Sequence, residues 1–175
     1  MSQSNSILDS LEWQSSKGAL TYEDVRYMLI RPDTLIGLQR FVEAAIGPEA
    51  CAEAMMASGY RGGSLSSRRY KELFNYSDHE IVAFMCQMGC EIGWGKFGLL
   101  ELDPARKRLV IEVADSPIAE AYARDLLRAS KHPVCHLLRG VLAGMAVGIF
   151  GDHVASEEVE CVAMGDPVCR FVVHG

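Results

Sequence analysis

The sequence predicts an α+β fold in which helices pack against an antiparallel sheet, and three observations indicate it. Strand-like residues flank the turn signal Asp103-Pro104-Ala105-Arg106, which predicts a β-hairpin over residues 96–113. A second hairpin is predicted over residues 153–173, around Gly165-Asp166-Pro167. Between and before these hairpins, apolar residues recur at helical spacing. Strands and helices in this order are typical of an α+β domain rather than of a parallel α/β sheet.

The first half of the chain is expected to begin with a flexible leader over residues 1–17, followed by a single domain over 18–175. The mixture of Tyr, Val, Met and Ile in residues 19–30 predicts a first strand region. A helix is predicted from Asp33 or Thr34 to Gly47, because its apolar residues recur every three or four positions. A second helix is predicted from Pro48 to about Gly59, with proline at its first position and glycine at its end.

The second half contains further helical segments. A polar loop over residues 61–67 is predicted to precede a short helix that carries Tyr70, Leu73 and Phe74. Ser77 is a suitable N-cap for a helix to about Ile92. Two more helices are predicted, from Ser116-Pro117 to about Ala129 and from just after Pro133 to Phe150.

Composition limits the functional classes. The chain has 175 residues, of which 23% are charged and 49% hydrophobic, and such values are ordinary for one globular domain. A net charge of −6 argues against a general nucleic-acid-binding surface. The polar N-terminus lacks the basic and apolar regions of a signal peptide, and the longest apolar run, Val141–Phe150, is too short to span a bilayer. A cytoplasmic protein is therefore expected, and its six cysteines are expected to be thiols or ligands rather than disulfides.

Three cysteines and one glutamate are spaced so that the second hairpin would bring them together. Cys161 and Cys169 flank the predicted turn, and Glu158 lies three residues before Cys161. Cys135 begins the apolar segment that precedes the hairpin. Three thiolates and one carboxylate supply four ligands, the number that a closed, structural zinc site needs. The alternative interpretation is that these cysteines are buried as small hydrophobic residues. His136 and His153 are the candidates to replace Glu158 as a ligand.

The ending Glu158-x-x-Cys161-(seven residues)-Cys169-x-Phe171, with Cys135 upstream, resembles the 4-vinyl reductase domain family. Weaker similarity lies in residues 18–29, 58–63 and 115–121, so that the likeness runs from about residue 18 to the end of the chain. The resemblance implies a structural zinc ion, a buried pocket for an apolar or aromatic small molecule, and a homodimer. Ligand-sensing domains and vesicle-tethering subunits are thought to share the fold, and one family member is linked to bacteriochlorophyll synthesis.

Apolar side chains that could line such a pocket are concentrated in residues 84–97. The candidates are Phe84, Met85, Met88, Trp94, Phe97 and Met145, with Met28 and Phe150 as further possibilities. Methionine suits a binding surface because it adapts to different ligand shapes, but the same residues would also form an ordinary core. The family's phenol sensors contact their ligand with His and Trp, whereas residues 80–114 of this chain contain no His.

Three other patterns have a structural as well as a functional interpretation. Cys86 and Cys90 lie one helical turn apart, and packing or pocket lining is favoured over metal or haem binding. The motif Gly93-Trp94-Gly95-Lys96-Phe97-Gly98 fits the dinucleotide-binding pattern, but it closes a helix and opens a strand, which reverses the required order. Gly140, Gly144 and Gly148 form a stripe that would allow close approach of the sheet, another helix or a second subunit.

The function expected from these features is that of a standalone sensor or carrier of an apolar ligand, with possible output through a regulatory protein partner. The chain has no segment left for an output domain, and no Ser-His-Asp arrangement, catalytic carboxylate pair or phosphate loop stands out. The alternative is a reductase or accessory factor in tetrapyrrole synthesis. A third interpretation is an assembly subunit, because fold alone does not decide function.

Overall fold

A computed structural model describes residues 6–151 and 154–175. Its helices are α1 (Ser6–Asp9), α2 (Pro32–Ile46), α3 (Pro48–Phe74), α4 (Asp78–Glu91), α5 (Pro117–Leu126) and α6 (His136–Phe150). Its strands are β1 (Glu12–Gln14), β2 (Ala19–Tyr22), β3 (Val25–Tyr27), β4 (Lys96–Asp103), β5 (Arg108–Ala114), β6 (Ala155–Glu160) and β7 (Cys169–His174). The fold class is therefore the predicted one, with helices and antiparallel sheets.

The main sheet has four antiparallel strands in the order β4-β5-β7-β6. Both predicted hairpins are present, and the first turn is supported by Asp103, whose Oδ1 accepts a hydrogen bond from the Arg106 amide at 3.0 Å. Strand β5 lies at the centre of the core, with Leu109, Ile111 and Val113 almost fully buried. This burial explains why β5 is predominantly apolar along its length.

Helices α2 and α4 follow the sequence signals closely. Pro48 begins the helix after α2, and Gly47 between them has a φ of +90°, which a residue with a side chain rarely adopts. Ser77 caps α4 in a capping box with Glu80, each side chain meeting the other residue's backbone amide. Helix α5 ends at Leu126, a little earlier than predicted, because Leu127 takes a left-handed conformation.

Helix α3 corrects the sequence-based prediction. The sequence predicts a helix ending near Gly59, a loop over residues 61–67 and a short third helix, but residues 48–74 form one continuous helix of 27 residues. The glycines that suggest a break serve packing instead. An added β-carbon at Gly59 would lie 2.0 Å from the Leu137 carbonyl oxygen of α6, and one at Gly63 would lie 2.1 Å from that of Val141.

The contact between α3 and α6 is reciprocal. On α6, a β-carbon at Gly140 would lie 2.1 Å from the Met56 carbonyl oxygen, and one at Gly144 would lie 2.1 Å from that of Tyr60. Two of the three glycines in the α6 stripe are thus occupied by α3 within the same chain. The stripe therefore no longer supports the expected homodimer, because its partner surface is intramolecular.

The N-terminal segment is more ordered than the predicted leader. Residues 1–5 lie outside the described residues, but α1 and β1 are part of the fold. Strands β1, β2 and β3 form a small antiparallel sheet, and Ile7 is 2% exposed in a cluster with Tyr22 and Tyr70. The predicted strand region over 19–30 is two short strands joined at Glu23-Asp24, both of which have positive φ.

Membrane-spanning character is limited by helix length and apolarity. Within residues 6–151 and 154–175, none of the helices combines the length and the apolar composition that crossing a membrane would require.

The α3–α6 contact generates a prediction about stability. Gly144→Ala should lower the free energy of unfolding by about 1–3 kcal/mol, because the new methyl group overlaps a backbone carbonyl that cannot rotate away. Gly37→Ala is the matched control, because Gly37 also lies within a helix but has nothing within 4 Å of its β-carbon position. That change should stabilise the fold by up to about 1 kcal/mol through helix propensity. Urea unfolding measures both, and equal effects would contradict the close contact.

Candidate metal centre and apolar cavity

The four predicted metal ligands meet where the start of α6 abuts the β6–β7 hairpin. Cys135 is the N-cap residue of α6, Glu158 lies in β6, Cys161 precedes a short 3-10 helix (Val162–Met164), and Cys169 begins β7. One possible ligand atom from each residue lies within 4.8 Å of every other. The structure thus brings together residues that are up to 34 positions apart in the chain.

The geometry fits a tetrahedral ion. The sulfurs of Cys135 and Cys169 are 3.8 Å apart, and all six cysteines of the chain are free thiols. Two thiolates at about 2.3 Å from one ion, at the tetrahedral angle, lie about 3.8 Å apart. The three cysteines are fully buried and Glu158 is 7% exposed, so that water has no easy route to an open coordination position.

Glu158 provides a further test of fit. Its Oε2 accepts a hydrogen bond of 2.8 Å from the Cys135 amide, whereas its buried Oε1 has no hydrogen-bond partner among the described residues. An unpaired buried carboxylate oxygen is costly, and coordination to a cation would compensate it. The donor set of three sulfurs and one carboxylate oxygen matches the ligand types of zinc sites.

Surrounding groups orient the ligands. The Val162 amide donates to the Cys169 sulfur at 3.4 Å, and the Cys161 amide donates to Asp166 at 2.8 Å, which holds the turn of the hairpin. The Ser116 hydroxyl, fully buried at the start of α5, lies 3.9 Å from the Cys135 sulfur. Such contacts fix the direction of ligand side chains and stabilise thiolate charge.

Of the two substitute ligands considered, only His136 can be located. His153 lies outside the described residues. His136 adjoins the cluster in sequence but is not one of the four residues whose ligand atoms converge. Burial lowers the pKa of His136 to about 4, with Arg139 adding to the effect.

Without a metal, the cluster distributes its protons unevenly. Burial, together with the nearby Cys161, raises the pKa of Glu158 to about 8. Hydrogen bonds from the thiols of Cys135 and Cys161 lower the pKa of Cys169 to about 4. Hydrogen bonds to Cys161 and Cys169 raise the pKa of Cys135 well above its ordinary value. Near neutral pH the metal-free cluster thus carries one thiolate and a protonated carboxyl group.

A separate apolar cavity, here called the inner cavity, lies between α3, α4 and α6. Its volume is about 220 Å³, and none of the described residues in its wall is charged. The wall residues are Tyr27, Gly62, Gly63, Ser66, Met85, Cys86, Met88, Gly89, Ile92, Trp94, Phe97, Leu138, Val141, Leu142 and Met145. Among them only Gly62 is exposed, which places it at the edge of the cavity.

Five of the six predicted pocket residues line this cavity, namely Met85, Met88, Trp94, Phe97 and Met145. For Phe84 the expectation needs correction. Its ring faces the other side of α4, where it lies 5.3 Å from Tyr70 and 5.6 Å from Phe74, measured between ring centroids. Helical periodicity explains the difference, because Phe84 is about 100° around the helix from Met85.

Several wall residues are not among those that the sequence suggests. Tyr27 comes from the N-terminal sheet, and its hydroxyl lies 2.6 Å from that of Tyr70. Gly62 and Gly63 fall in the predicted loop, and only the continuity of α3 places them in the wall. Cys86 lines the cavity, as its structural interpretation predicts, and burial raises the pKa of its thiol to about 12.

A second cavity, here called the outer cavity, has a volume of about 300 Å³ and lies beside the N-terminal segment. Its wall includes Met28, Leu29 and Ile30 from the connection between β3 and α2, and Leu35 and Ile118 from α2 and α5. Three further residues, Tyr27, Ile92 and Trp94, belong to both cavities. Of the two further candidates from sequence, Met28 is in this wall, whereas Phe150 is buried in the core.

The fold is shared with solved structures of known class. The chain superposes on the phenol-responsive sensory domain of the transcription activator PoxR with a TM-score of 0.85 and 20% identity, covering 97% of this chain and 86% of that one. It also superposes on trafficking protein particle complex subunit 3 from Naegleria fowleri with a TM-score of 0.55 and 12% identity, covering 82% and 93%. At these identities the likeness shows the shared fold.

The sequence comparisons add the family. Residues 109–175 match the family model of the 4-vinyl reductase domain, so the resemblance to that family is confirmed. The chain is 22% identical over 174 residues to the phenol regulator MopR of Acinetobacter guillouiae, covering 95% of this chain. It is 34% identical over 77 residues to the protein MJ0745 of Methanocaldococcus jannaschii, covering 44% of this chain. The chain spans only 30% and 39% of the lengths of these two relatives.

The proton distribution generates a prediction about pH. The folded-state pKa of Glu158 is raised from 4.5 to about 8, so its contribution to stability is present below pH 4.5 and lost as the pH rises to 8. The folded-state pKa of Cys169 is lowered from 9.0 to about 4, so its contribution is present above pH 9 and lost as the pH falls to 4. The two effects offset each other between about pH 5 and 8. The metal-free wild type should therefore keep a nearly constant free energy of unfolding over this range.

In metal-free Glu158→Gln only the Cys169 effect remains, so stability should rise with pH from about 5 to 8. Urea unfolding of chelator-treated protein at about pH 5, 6.5 and 8 measures this, with the exposed neighbour Glu157→Gln as control. Parallel profiles for Glu158→Gln and the wild type would contradict the assigned proton positions.

Proposed function

We propose that this chain is a small-molecule-binding domain, a sensor or carrier, that holds an uncharged apolar or aromatic ligand in the inner cavity. The observation that carries the proposal is the cavity wall, whose described side chains include no charged group. Ligand pockets are mostly apolar with few polar groups, and here Tyr27, Ser66 and Trp94 are the polar ones. The likeness to the phenol-responsive domain of PoxR and to the phenol regulator MopR supports a ligand-sensing role.

Phenolic compounds are the first ligands to test, because the PoxR structure is described with phenol. A cavity of about 150 Å³ accommodates benzene, so about 220 Å³ is adequate for one substituted ring. The described wall has no histidine, and a phenol hydroxyl would have to bond to Tyr27, Ser66 or Trp94. Specificity for phenol itself is thus expected to be weaker than specificity for apolar bulk.

We propose further that Cys135, Glu158, Cys161 and Cys169 bind one zinc ion with a structural role. The buried cluster of four ligand atoms and the unpaired Oε1 of Glu158 support a metal there. A bound ion would fasten the β6–β7 hairpin to the start of α6 and contribute to folding directly. With four protein ligands, the ion would have no position left for substrate.

A homodimer is also proposed, on a different basis from the glycine stripe. Helix α2 presents Leu38 and Phe41 one turn apart, and they are 56% and 75% exposed. Large exposed apolar side chains on one helix face commonly mark an interface. Twofold pairing is the commonest arrangement of soluble oligomers.

Residues 18–175 are proposed to act as a single domain of a cytoplasmic protein that passes its signal to a regulatory partner. The tetrapyrrole reductase alternative is not favoured, because the structural match over 97% of the chain is to a sensory domain. The relation to subunit 3 of the trafficking complex, described as covalently bound to palmitic acid, is compatible with an apolar occupant.

The zinc proposal predicts one zinc ion per chain and two per dimer. Native mass spectrometry should show a dimer whose mass includes two zinc ions. Cys161→Ser and Cys169→Ser should release the metal and lower stability by several kcal/mol, since metal binding and folding are coupled. Cys90→Ser, at an exposed thiol, should retain both ions. A well-folded wild type without zinc would refute the metal site, and a monomeric mass at micromolar concentration would refute the dimer.

The ligand proposal predicts that phenols and small aromatic hydrocarbons raise the melting temperature. At a ligand concentration of about one hundred times Kd, stabilisation is about 2.7 kcal/mol, which corresponds to roughly 5–10 °C for a domain of this size. Trp94→Ala and Gly62→Leu should reduce the shift to less than half, the first by removing wall contacts and the second by placing a side chain at the cavity edge.

Each of these changes has a matched control outside the cavity. Phe84→Ala removes an aromatic ring from the same helix region, and Gly37→Leu adds a side chain at a helical glycine with open space around it. Both controls should keep the wild-type shift. If no apolar compound stabilises the wild type, or the shift is insensitive to Trp94→Ala and Gly62→Leu, the inner cavity is not the site.

A further inference from the structure

The inner and outer cavities are neighbours divided by three side chains. Tyr27, Ile92 and Trp94 face both spaces, and each is only half-buried. Taken together the two volumes reach roughly 500 Å³, within the range of sites for medium-sized ligands. The inner cavity alone lies below that range.

The dividing residues sit at the ends of secondary-structure elements. Tyr27 is the last residue of β3, and Ile92 directly follows α4. Trp94 lies between Gly93 and Gly95, whose φ angles are +87° and +117°, and nothing lies within 4 Å of the β-carbon position of Gly93. The side chains of Ile92 and Trp94 can therefore change rotamer without breaking a helix or strand.

The wall of the outer cavity leaves apolar surface open to solvent. Met28, Leu29 and Ile30 follow one another in the chain and are 81%, 87% and 53% exposed. A contiguous exposed apolar surface of this kind is typical of a binding site. An apolar chain lying in the outer cavity would cover part of this surface.

Charge limits the ligand further. Among the described residues, Glu91 is the one charged residue in the wall of the outer cavity, and its carboxylate accepts a hydrogen bond from the Ile7 amide. The described wall of the inner cavity has no charged residue to neutralise an anion. A ligand that ends in a carboxylate would thus meet either an apolar wall or a like charge.

We propose that the two cavities form one binding site across a movable partition of Tyr27, Ile92 and Trp94, and that its ligand is an uncharged molecule with an apolar chain that extends from the inner into the outer cavity. The proposal rests on the proposed ligand-binding function and specifies its ligand class. It differs from a single-ring site in the length of ligand that it accepts.

A series of 4-alkylphenols from phenol to 4-octylphenol tests the proposal by isothermal titration calorimetry on the full chain. Each methylene that is buried improves affinity about fourfold. Scaled from a cavity of about 150 Å³ that holds benzene, the inner cavity holds about nine carbons. If the site is undivided in use, the gain should continue past 4-propylphenol to at least 4-hexylphenol.

Two outcomes separate this proposal from the proposed function. Binding of phenol and 4-ethylphenol with no gain beyond 4-propylphenol would overturn the two-cavity site and leave the inner site intact. Failure of every member to bind would overturn the proposed function itself. A preference for 4-octylbenzoate over 4-octylphenol would overturn the assignment of an uncharged ligand.

Variants locate the chain of the ligand. Leu35→Phe narrows only the outer cavity, so it should weaken 4-octylphenol at least tenfold and leave phenol within twofold. Ile92→Ala thins the partition and should strengthen long members relative to phenol. In a Trp13→Phe background Trp94 is the only tryptophan, and its fluorescence should respond most strongly to members longer than 4-propylphenol. Equal loss of short and long members in Leu35→Phe, at unchanged melting temperature, would contradict the proposal.

Discussion

The backbone contact between α3 and α6 is the constraint on which the rest of this structure depends. At Gly59, Gly63, Gly140 and Gly144 the two helices approach so closely that no side chain fits between them. Side chains on either side of this seam are thereby directed outward. The residues that form one wall of the inner cavity are Gly62 and Ser66 from α3, with Leu138, Val141 and Met145 from α6. A cavity next to a tight seam can remain open because the helices are held by backbone contact rather than by interdigitated side chains.

Helix α6 also connects the cavity to the cysteine cluster. Its N-cap is Cys135, one turn before Leu138, which lies in the cavity wall. Strand β7 begins at Cys169 and pairs with β5, the buried centre of the sheet. A metal ion at the cluster would therefore set the position of α6 relative to the sheet. A ligand in the cavity would contact the same helix, so the two sites share a structural element although their residues are distinct.

The predictions that succeed from sequence alone depend on local signals. The capping box at Ser77, the turn at Asp103 and the Gly47-Pro48 junction each operate within a few residues, and all three are present. The cysteine spacing is informative because a hairpin turn brings Cys161 and Cys169 together. The errors arise where a residue's partner is distant in sequence. Glycines in the middle of α3 suggest a break in the helix, and only the position of α6 shows that glycine is needed there for packing.

The sequence by itself determined the α+β class, the two hairpins, the four residues of the cluster and most of the apolar set around α4, because periodicity and turn chemistry are local properties of the chain. Only the tertiary structure decided which of these apolar residues face a cavity. Phe84 and Met85 are adjacent in sequence, yet one packs among aromatic rings and the other faces the inner cavity. Whether an apolar side chain becomes core or cavity wall depends on what lies opposite it, and that is set by helices and strands folded from remote parts of the chain.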